Sequence, residues 1–358
     1  MKENRLNAVL HNLDQMGLSQ ALITDPLSIL YLTGRLIKPM ERFYALYISQ
    51  SGQHKIFINQ LETVPEDLGV EKIRFTDSDP YLDLVYQVVD HSQPLGVDKN
   101  MAARFLLPLM DRQCAPGYVN ASPAVDKARS IKDAQEQALM RKASQINDEA
   151  MKAFRTLVRE GITERQVAEQ TKAIYLDLGA EGFSFEPLVA FGASAASGHH
   201  YPDNTPLKTG DCVLFDVGCV YKGYCSDMTR TYFYREVSSR QEDVYNLVLR
   251  ANQAAEAAIR PGVPLRELDR IARDIISQKG YGPNFTHRLG HFIGLETHDL
   301  GDVSSAAEDT AVPGNIFSIE PGIYLPGEMG VRIEDLVLVT EDGAEILNHL
   351  PKTLEVLP

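Results

Sequence analysis

Four acidic residues in this chain each lie at the end of an apolar segment that is typical of a buried strand. Asp216 and Asp227 flank a glycine turn in LFDVGCVYKGYCSDMTRTYF, and Glu320 and Glu334 flank a second one in IFSIEPGIYLPGEMGVRIEDLVLV. A carboxylate near a sheet interior costs several kcal/mol in desolvation unless a cation or a proton compensates it. Two acid-bearing β-hairpins therefore predict a cation site.

A glycine-rich segment between these hairpins, THRLGHFIGLETHD, supplies His287, His291 and His298. The first two have the helical i, i+4 spacing of a paired zinc motif, but Gly290 and Gly294 favour a strand or a loop. One imidazole with four carboxylates suits Mn²⁺, Co²⁺, Fe²⁺ or Zn²⁺, and two such ions about 3.5–4 Å apart can activate water. The residues thus predict two divalent metal ions and hydrolytic chemistry.

These motifs resemble the creatinase/aminopeptidase superfamily of pita-bread metallopeptidases, and within it the Xaa-Pro dipeptidases (prolidases). The likeness covers essentially the whole chain: an aspartate before glycine, a second aspartate eleven residues later in Ser-Asp-x-Thr-Arg-Thr, then Gly-His-x-Ile-Gly, Glu-Pro-Gly and Arg-Ile-Glu-Asp. The resemblance implies an α+β fold, a pita-bread catalytic domain preceded by an α/β creatinase-type N-terminal domain. It also implies five metal ligands, Asp216, Asp227, His291, Glu320 and Glu334, with Mn²⁺ the expected metal.

The resemblance also implies roles around the metals. Glu320 is expected to shuttle a proton as well as to bind metal, and His298 and His199 to contact substrate and stabilise the intermediate. His199 lies 17 residues before Asp216, which is the family spacing, although His200 is its neighbour and the choice between them rests on register. The implied reaction is hydrolysis of the Xaa-Pro bond in dipeptides.

Strand phase adds two residues to the predicted site. Thr229 follows Asp227 by two and Arg332 precedes Glu334 by two, so each shares a face with a ligand. Thr229 is expected to support the metal shell. The guanidinium fork of Arg332 suits the carboxylate of a dipeptide, and we expect a preference for dipeptides over longer peptides.

Several departures and alternatives stay open. Phe292 stands where the family has glycine, and Thr297-His298-Asp299 replaces Val-His-Glu, so we expect Phe292 to crowd the substrate pocket. Tyr221 resembles a pocket tyrosine. An Xaa-Pro aminopeptidase acting on longer peptides and a non-catalytic pita-bread binding module are the alternatives. The N-terminal domain argues against a methionine aminopeptidase, and the complete ligand set argues against a binding module.

Composition points to a two-domain enzyme. The 358 residues predict domains over 1–128 and 129–358, and the net charge of −14 argues against nucleic-acid or anionic-membrane partners. No segment approaches the roughly 18 apolar residues of a membrane span, and the first residues lack a signal-peptide pattern, so a cytoplasmic location is expected. The four cysteines lack Cys-x-x-Cys spacing and are expected to be reduced. The resemblance implies a homodimer.

Periodicity predicts the elements that position the site. Strands are expected at QALIT, FYALYIS, HKIFIN, EKIRFT and PLGVD, and helices over 6–16, in DAQEQALMRKASQINDEAMKAFRTLV and in TERQVAEQTKAIYLDLG. A capping box at Ser239 and Glu242 predicts the start of another helix, and a further helix is expected from about 265 to 280. A helix pair followed by an acid-bearing hairpin thus occurs twice.

Overall fold

A mixed sheet of six strands organises the N-terminal unit, Met1–Arg129. In this computed structural model, which describes residues 1–358, its strands are β1 Gln20–Ile23, β2 Ala45–Ser49, β3 Lys55–Asn59, β4 Glu71–Phe75, β5 Leu95–Val97 and β6 Tyr118–Asn120. The strand order is β4-β3-β2-β1-β5-β6, with parallel pairs β3–β4, β1–β5 and β5–β6. The five predicted strands are confirmed. The sixth, Tyr118–Asn120, is not predicted, because its residues are largely exposed and form no apolar segment.

Five helices accompany this sheet: α1 Glu3–Gln15, α2 Pro26–Thr33, α3 Tyr81–Tyr86, α4 Ala103–Asp111 and α5 Ser122–Ser130. The first confirms the predicted amphipathic helix, because Leu6, Val9 and Leu13 fall on one face and are buried. An aromatic cluster fills the core beside the sheet, with Phe43 stacked on Tyr81 at 4.6 Å and edge-on to Phe105 at 5.3 Å.

Four longer helices belong to the second unit, Ser130–Pro358: α6 Ala134–Phe154, α7 Glu164–Asp177, α8 Ser239–Ala257 and α9 Leu265–Ser277. Capping boxes begin three of them. The box of α8 uses Ser238 and Gln241, so the predicted pair one residue later, Ser239 and Glu242, is wrong. Because Ser238 and Ser239 are adjacent, the sequence fits a capping box that starts at either serine. The structure distinguishes them, because the backbone N–H of Gln241 donates to the Ser238 hydroxyl at 3.3 Å.

The strands of this unit form several small sheets. They are β7 Gly182–Phe183, β8 Leu188–Phe191, β9 Cys212–Val217, β10 Cys219–Tyr221, β11 Tyr224–Cys225, β12 Met228–Tyr234, β13 Gly290–His291, β14 Asp302–Val303, β15 Ile316–Ile319, β16 Gly322–Leu325, β17 Met329–Arg332, β18 Asp335–Val339, β19 Ala344–Ile346 and β20 Val356–Leu357. Their sheet orders are β20-β12-β9-β8, β11-β10-β7, β13-β14, β15-β18-β19 and β16-β17.

Both predicted hairpins are present, but the second is interrupted. β9 pairs antiparallel with β12, so Asp216 lies opposite Thr229. In the second, β15 pairs with β18 and β16 with β17, and the ladder breaks at Glu320 and Glu334. Their backbone amides instead donate to the carbonyls of Leu289 and Thr229, at 2.8 and 3.1 Å. The breaks therefore join the hairpin to neighbouring strands at the two acids.

All four cysteines are free thiols and buried. None of the helices combines the length and the apolar character that a membrane crossing requires.

Candidate metal centre

A cavity of about 960 Å³ in the second unit brings together the five residues predicted to bind metal. Asp216 comes from β9, Asp227 from the residue before β12, and His291 from β13. Glu320 and Glu334 lie at the two breaks of the second hairpin. Five different segments thus place one imidazole and four carboxylates on the wall of one cavity.

The carboxylates crowd around the imidazole. His291 Nε2 lies 3.6 Å from Asp227 Oδ2 and 3.5 Å from Glu320 Oε1. Asp227, His291 and Glu334 offer ligand atoms that all lie within 4.8 Å of one another. Close approach at this point depends on Gly290, because a Cβ there would lie 1.8 Å from the carbonyl oxygen of Ser318.

Burial is the largest cause of the pKa shifts of Asp227, Glu334, Glu320 and His291. Burial and the charge of neighbouring carboxylates hold the pKa values of Asp227 and Glu334 well above their ordinary values. Burial raises the pKa of Glu320 to about 7, although the charge of Arg332 opposes the rise. Burial, with the nearby His298, lowers the pKa of His291 to about 3, which keeps the imidazole neutral as a metal ligand requires.

Three buried carboxylate oxygens in this cluster have no hydrogen-bond partner: Asp216 Oδ1, Asp227 Oδ1 and Glu334 Oε1. Buried polar atoms are nearly always satisfied, so a group of orphaned acceptors needs a donor or a cation. Hard oxygen donors with one imidazole form the ligand set of divalent first-row metals. The residues present therefore fit divalent metal ions.

Arg332 is buried, with 3% of its surface exposed, and all three of its nitrogens have acceptors. Nη2 donates to Asp216 Oδ2 at 2.5 Å, Nε to Thr229 Oγ1 at 3.0 Å and Nη1 to the Tyr324 hydroxyl at 2.7 Å. Thr229 in turn donates to Glu334 Oε2 at 2.7 Å, as expected of a residue that supports the metal shell. The predicted role of this fork is to bind a substrate carboxylate, whereas three of its donors have partners within the protein. Strand phase shows which face a side chain shares and not which residues it contacts there.

The contacts of His287 define the direction of a hydrogen-bond chain. Nδ1 lies 2.7 Å from the carbonyl of Arg288, which only accepts, so Nδ1 carries the proton. Burial lowers the pKa of His287 to about 4, so the ring is neutral and Nε2 accepts from the Tyr324 hydroxyl at 2.8 Å. Tyr324 therefore accepts from Arg332 and donates to His287.

His298, His199 and His200 line the same cavity. His298 is exposed and meets the His291 ring edge-to-face, with centroids 4.2 Å apart. His199 is also exposed. His200 lies 2.6 Å, from its Nε2, from a carboxylate oxygen of buried Glu164. Both neighbours thus reach the cavity, and His199 is the one with its ring open to solvent. Glu164, His200 and Asp203 form a second acidic cluster, but both Glu164 oxygens already accept backbone amides.

A buried ionic network supports the ligand strands from behind. Arg230 donates to the carbonyls of Glu334 and Leu350, at 2.6 and 2.9 Å, and to Asp335 Oδ1 at 2.7 Å. Lys352 Nζ lies 2.6 Å from Asp335 Oδ2 and 2.6 Å from Glu256 Oε2. Two cations thus face two carboxylates. The network also holds the backbone of a predicted ligand, because Arg230 donates to the carbonyl of Glu334.

Phe292 does not crowd the cavity, so that prediction is wrong. Its side chain packs in the core against Phe317, with ring centroids 5.5 Å apart, and only 4% of it is exposed. It also covers Gly301, where a Cβ would lie 2.5 Å from its ring. Asp299 is buried and pairs with Lys132 at 3.3 Å, and Tyr221 lies outside the cavity lining. Alternation along β13 explains this, because neighbours of His291 point to the opposite face.

Sequence reasoning missed Tyr324, Glu164 and the network of Arg230. The register pairs Tyr324 with Gly330 and Gly322 with Arg332, which makes Tyr324 and Arg332 diagonal neighbours. Once the register of the β16–β17 hairpin is predicted, this diagonal pairing indicates that Tyr324 can contact Arg332. Glu164 and Arg230 make contacts across long sequence separations. Arg230 belongs to the Ser-Asp-x-Thr-Arg-Thr motif, but the motif does not show which residues it contacts.

Comparison with known proteins agrees with this architecture. The profile described as the creatinase/prolidase N-terminal domain matches residues 5–131, and that described as metallopeptidase family M24 matches residues 138–341. Fold and site together define a pita-bread metallopeptidase with a creatinase-type N-terminal unit. The chain belongs to metallopeptidase family M24, which uses divalent metals. The predicted family and fold class are confirmed.

Relatives span the full chain. An uncharacterized peptidase of Staphylococcus aureus is 37% identical over 359 residues, covering 97% of this chain and 99% of its own. A dipeptidase from Pyrococcus horikoshii OT3 has a TM-score of 0.93 and 32% identity, covering 99% of this chain and 100% of that one. An Xaa-Pro dipeptidase from Bacillus anthracis has a TM-score of 0.92 and 30% identity, covering 99% of both chains.

Replacing Phe292 tests its place in the core. We expect Phe292→Ala to lower the free energy of unfolding by about 3–5 kcal/mol, because a large cavity opens beside Phe317. The relative rates on peptide substrates with small and bulky side chains should stay the same. Denaturant unfolding and a substrate panel measure both effects. Leu300→Ala, which removes an exposed side chain, is the control; a broadened specificity at unchanged stability would place Phe292 in the pocket after all.

Replacing Lys352 tests the buried network. Lys352→Met leaves Glu256 and Asp335 with one cation fewer, and removing one partner of a buried pair typically costs about 3–5 kcal/mol. We expect a loss of that size in urea unfolding, and partial recovery when Glu256→Leu is added. Arg240→Met breaks the exposed pair with Glu328 and serves as the control. Equal effects of Lys352→Met and Arg240→Met would contradict a structural role for the network.

Proposed function

We propose that this protein hydrolyses the Xaa-Pro peptide bond of dipeptides, and that the catalytic residues lie within 129–358. In this proposal Asp216, Asp227, His291, Glu320 and Glu334 hold two divalent ions, with Mn²⁺ the first choice and Co²⁺, Zn²⁺ or Fe²⁺ the alternatives. The observation that carries it is the convergence of these five side chains with three orphaned oxygens in one cavity. The similarity to an Xaa-Pro dipeptidase supports the substrate class.

The ions, when bound, would supply a water-derived nucleophile at neutral pH and polarise the peptide carbonyl. The protein's own residues must then move a proton and hold the substrate. A tertiary amide nitrogen is a poor leaving group until it is protonated, so a proton donor is required. Glu320 fits this task, because its carboxylate lies on the wall of the same cavity, with Oε1 3.5 Å from His291 Nε2, within reach of a substrate bound at the ions.

Histidines complete the proposed site. His298 and His199 lie exposed on the cavity wall, where their ring N–H groups can donate to a carbonyl oxygen that gains negative charge. Arg332 acts through Asp216 and Thr229, because its contacts orient those side chains. A homodimer in the cytoplasm is the proposed working state.

One observation favours a second candidate, an Xaa-Pro aminopeptidase that acts on longer peptides. All three nitrogens of Arg332 are engaged within the protein, so the predicted anchor for a dipeptide carboxylate is already occupied. A site without such an anchor would leave the carboxyl side of the substrate open.

Metal dependence is the first test. We expect a chelator to abolish hydrolysis of Ala-Pro and Mn²⁺ or Co²⁺ to restore it, with two ions bound per chain by elemental analysis. Glu320→Gln should lower kcat on the order of 10²–10⁴-fold, the usual contribution of a positioned proton donor. Glu308→Gln, an exposed acid of the same unit, is the control. Full activity of the Glu320 or a His291→Ala variant in metal-free buffer would refute the two-metal proposal.

Substrate length is the second test. Ala-Pro should be cleaved with a higher kcat/KM than Ala-Pro-Ala by the Mn²⁺-loaded enzyme, because a dipeptidase gains from recognising the carboxylate next to proline. Steady-state kinetics on matched di- and tripeptides decide the question. An equal or higher value on the tripeptide would make the enzyme an Xaa-Pro aminopeptidase.

A further inference from the structure

Two arginines, Arg288 and Arg332, are the only permanently charged cations among the residues that line the metal cavity. Arg332 is buried, and its nitrogens already donate to Asp216, Thr229 and Tyr324. A guanidinium with five donors in a fixed fork needs a free edge to bind a carboxylate in two places. Each nitrogen of Arg332 already has an acceptor inside the protein, and its side chain is buried, so Arg288 is the better placed of the two arginines to meet a substrate.

Arg288 has a rigid backbone and an available side chain. The carbonyl of His287 accepts from Arg273 Nη2 at 2.9 Å, the amide of Leu289 donates to Asp269 Oδ1 at 3.1 Å, and the carbonyl of Arg288 itself accepts from His287. Its side chain, in contrast, is 35% exposed. The position of its Cα is therefore fixed, while the partly exposed guanidinium can change its hydrogen-bond partner.

The partner of Arg288 in this structure is itself exchangeable. Arg288 Nη1 pairs with Asp302, which is 50% exposed and lies opposite His291 in the β13–β14 register. Ion pairs this exposed are worth about 0–1 kcal/mol, since water competes for both groups. An incoming carboxylate held by the rest of the site can displace Asp302 at little cost.

Arg288 also lies close to the reacting centre. It lines the same cavity as His291, His298 and Glu320, and its partner Asp302 lies opposite His291 in the β13–β14 register. Arg288 therefore stands near enough to the metal centre to contact a substrate whose scissile bond lies there.

We propose that Arg288 is the carboxylate-binding residue of this cavity and that it exchanges Asp302 for a carboxylate of the substrate. The inference rests on the proposed Xaa-Pro hydrolysis and adds to it the residue that binds a negatively charged group of the substrate. A peptide offers that group from two sources, its C-terminal carboxylate or an acidic side chain before proline. Both have the same chemistry, and matched substrates separate them.

The test compares Arg288→Gln with the wild type, both loaded with Mn²⁺, on Ala-Pro, Ala-Pro-amide, Glu-Pro and Gln-Pro. Loss of a charge-assisted contact of about 1.5–3 kcal/mol corresponds to a factor of about tenfold or more. We expect that factor in the kcat/KM ratio of one acidic substrate to its neutral partner, mainly through KM. A fall in the Ala-Pro to Ala-Pro-amide ratio assigns the C-terminal carboxylate, and a fall in the Glu-Pro to Gln-Pro ratio assigns the side chain.

Two further variants test the fork and the exchange. Arg288→Lys keeps the charge without the planar fork and should lie between Gln and wild type. Asp302→Asn removes the competing carboxylate and should lower KM for the same acidic substrate. If its KM rises instead, Asp302 orients Arg288 and the exchange is refuted. Arg270→Gln, on the exposed face of α9, is the matched arginine control.

The outcomes separate this inference from the proposed function. Metal content and unfolding midpoints of each variant, measured alongside, exclude loss of the site itself. If the Arg288→Gln enzyme changes neither ratio, Arg288 does not bind a substrate carboxylate and the inference fails. If the wild-type holoenzyme cleaves none of the four substrates, the proposed Xaa-Pro hydrolysis fails instead.

Discussion

Charge compensation inside one cavity governs the catalytic unit. Four carboxylates are drawn together around one imidazole, and Arg332 is the only buried arginine on the cavity wall. One guanidinium does not neutralise four carboxylates, and the raised pKa values of Asp227, Glu320 and Glu334 record the deficit. The orphaned oxygens lie where further positive charge is needed. The cluster is therefore suited to bind divalent cations.

That requirement explains the irregular strands. In a continuous ladder from β15 to β18, the backbone amides of Glu320 and Glu334 would donate hydrogen bonds within their own hairpin. At the breaks, those two amides instead donate to Leu289 and Thr229, which belong to the other ligand-bearing segments. Each acid is thereby fixed to a second ligand strand. Arg230 strengthens the same junction, because it holds the carbonyl of Glu334 from the side opposite the cavity.

The sequence supports the prediction of what the centre contains better than of how it is arranged. Acids at strand ends and glycines around His291 are local signals, so both hairpins and the five candidate ligands could be predicted from them. The Phe292 prediction failed because a comparison with glycine in relatives says nothing of which way the benzyl group points. Tyr324 and Arg230 act through contacts between distant segments, which periodicity does not report.

Side chains at the base of the cavity are buried and hydrogen-bonded within the protein, whereas those nearer the solvent are more exposed. At its base, Arg332 donates to Asp216, Thr229 and Tyr324, so replacing Arg332 would disturb the metal ligands themselves. Nearer the solvent, His298 is exposed and the side chain of Arg288 is 35% exposed, on backbone whose neighbours at 287 and 289 are held by other residues. Because Arg273 and Asp269 fix that backbone, side chains at this level can change without moving His291. Substrate preference can therefore vary near the solvent while the chemistry at the base of the cavity stays the same.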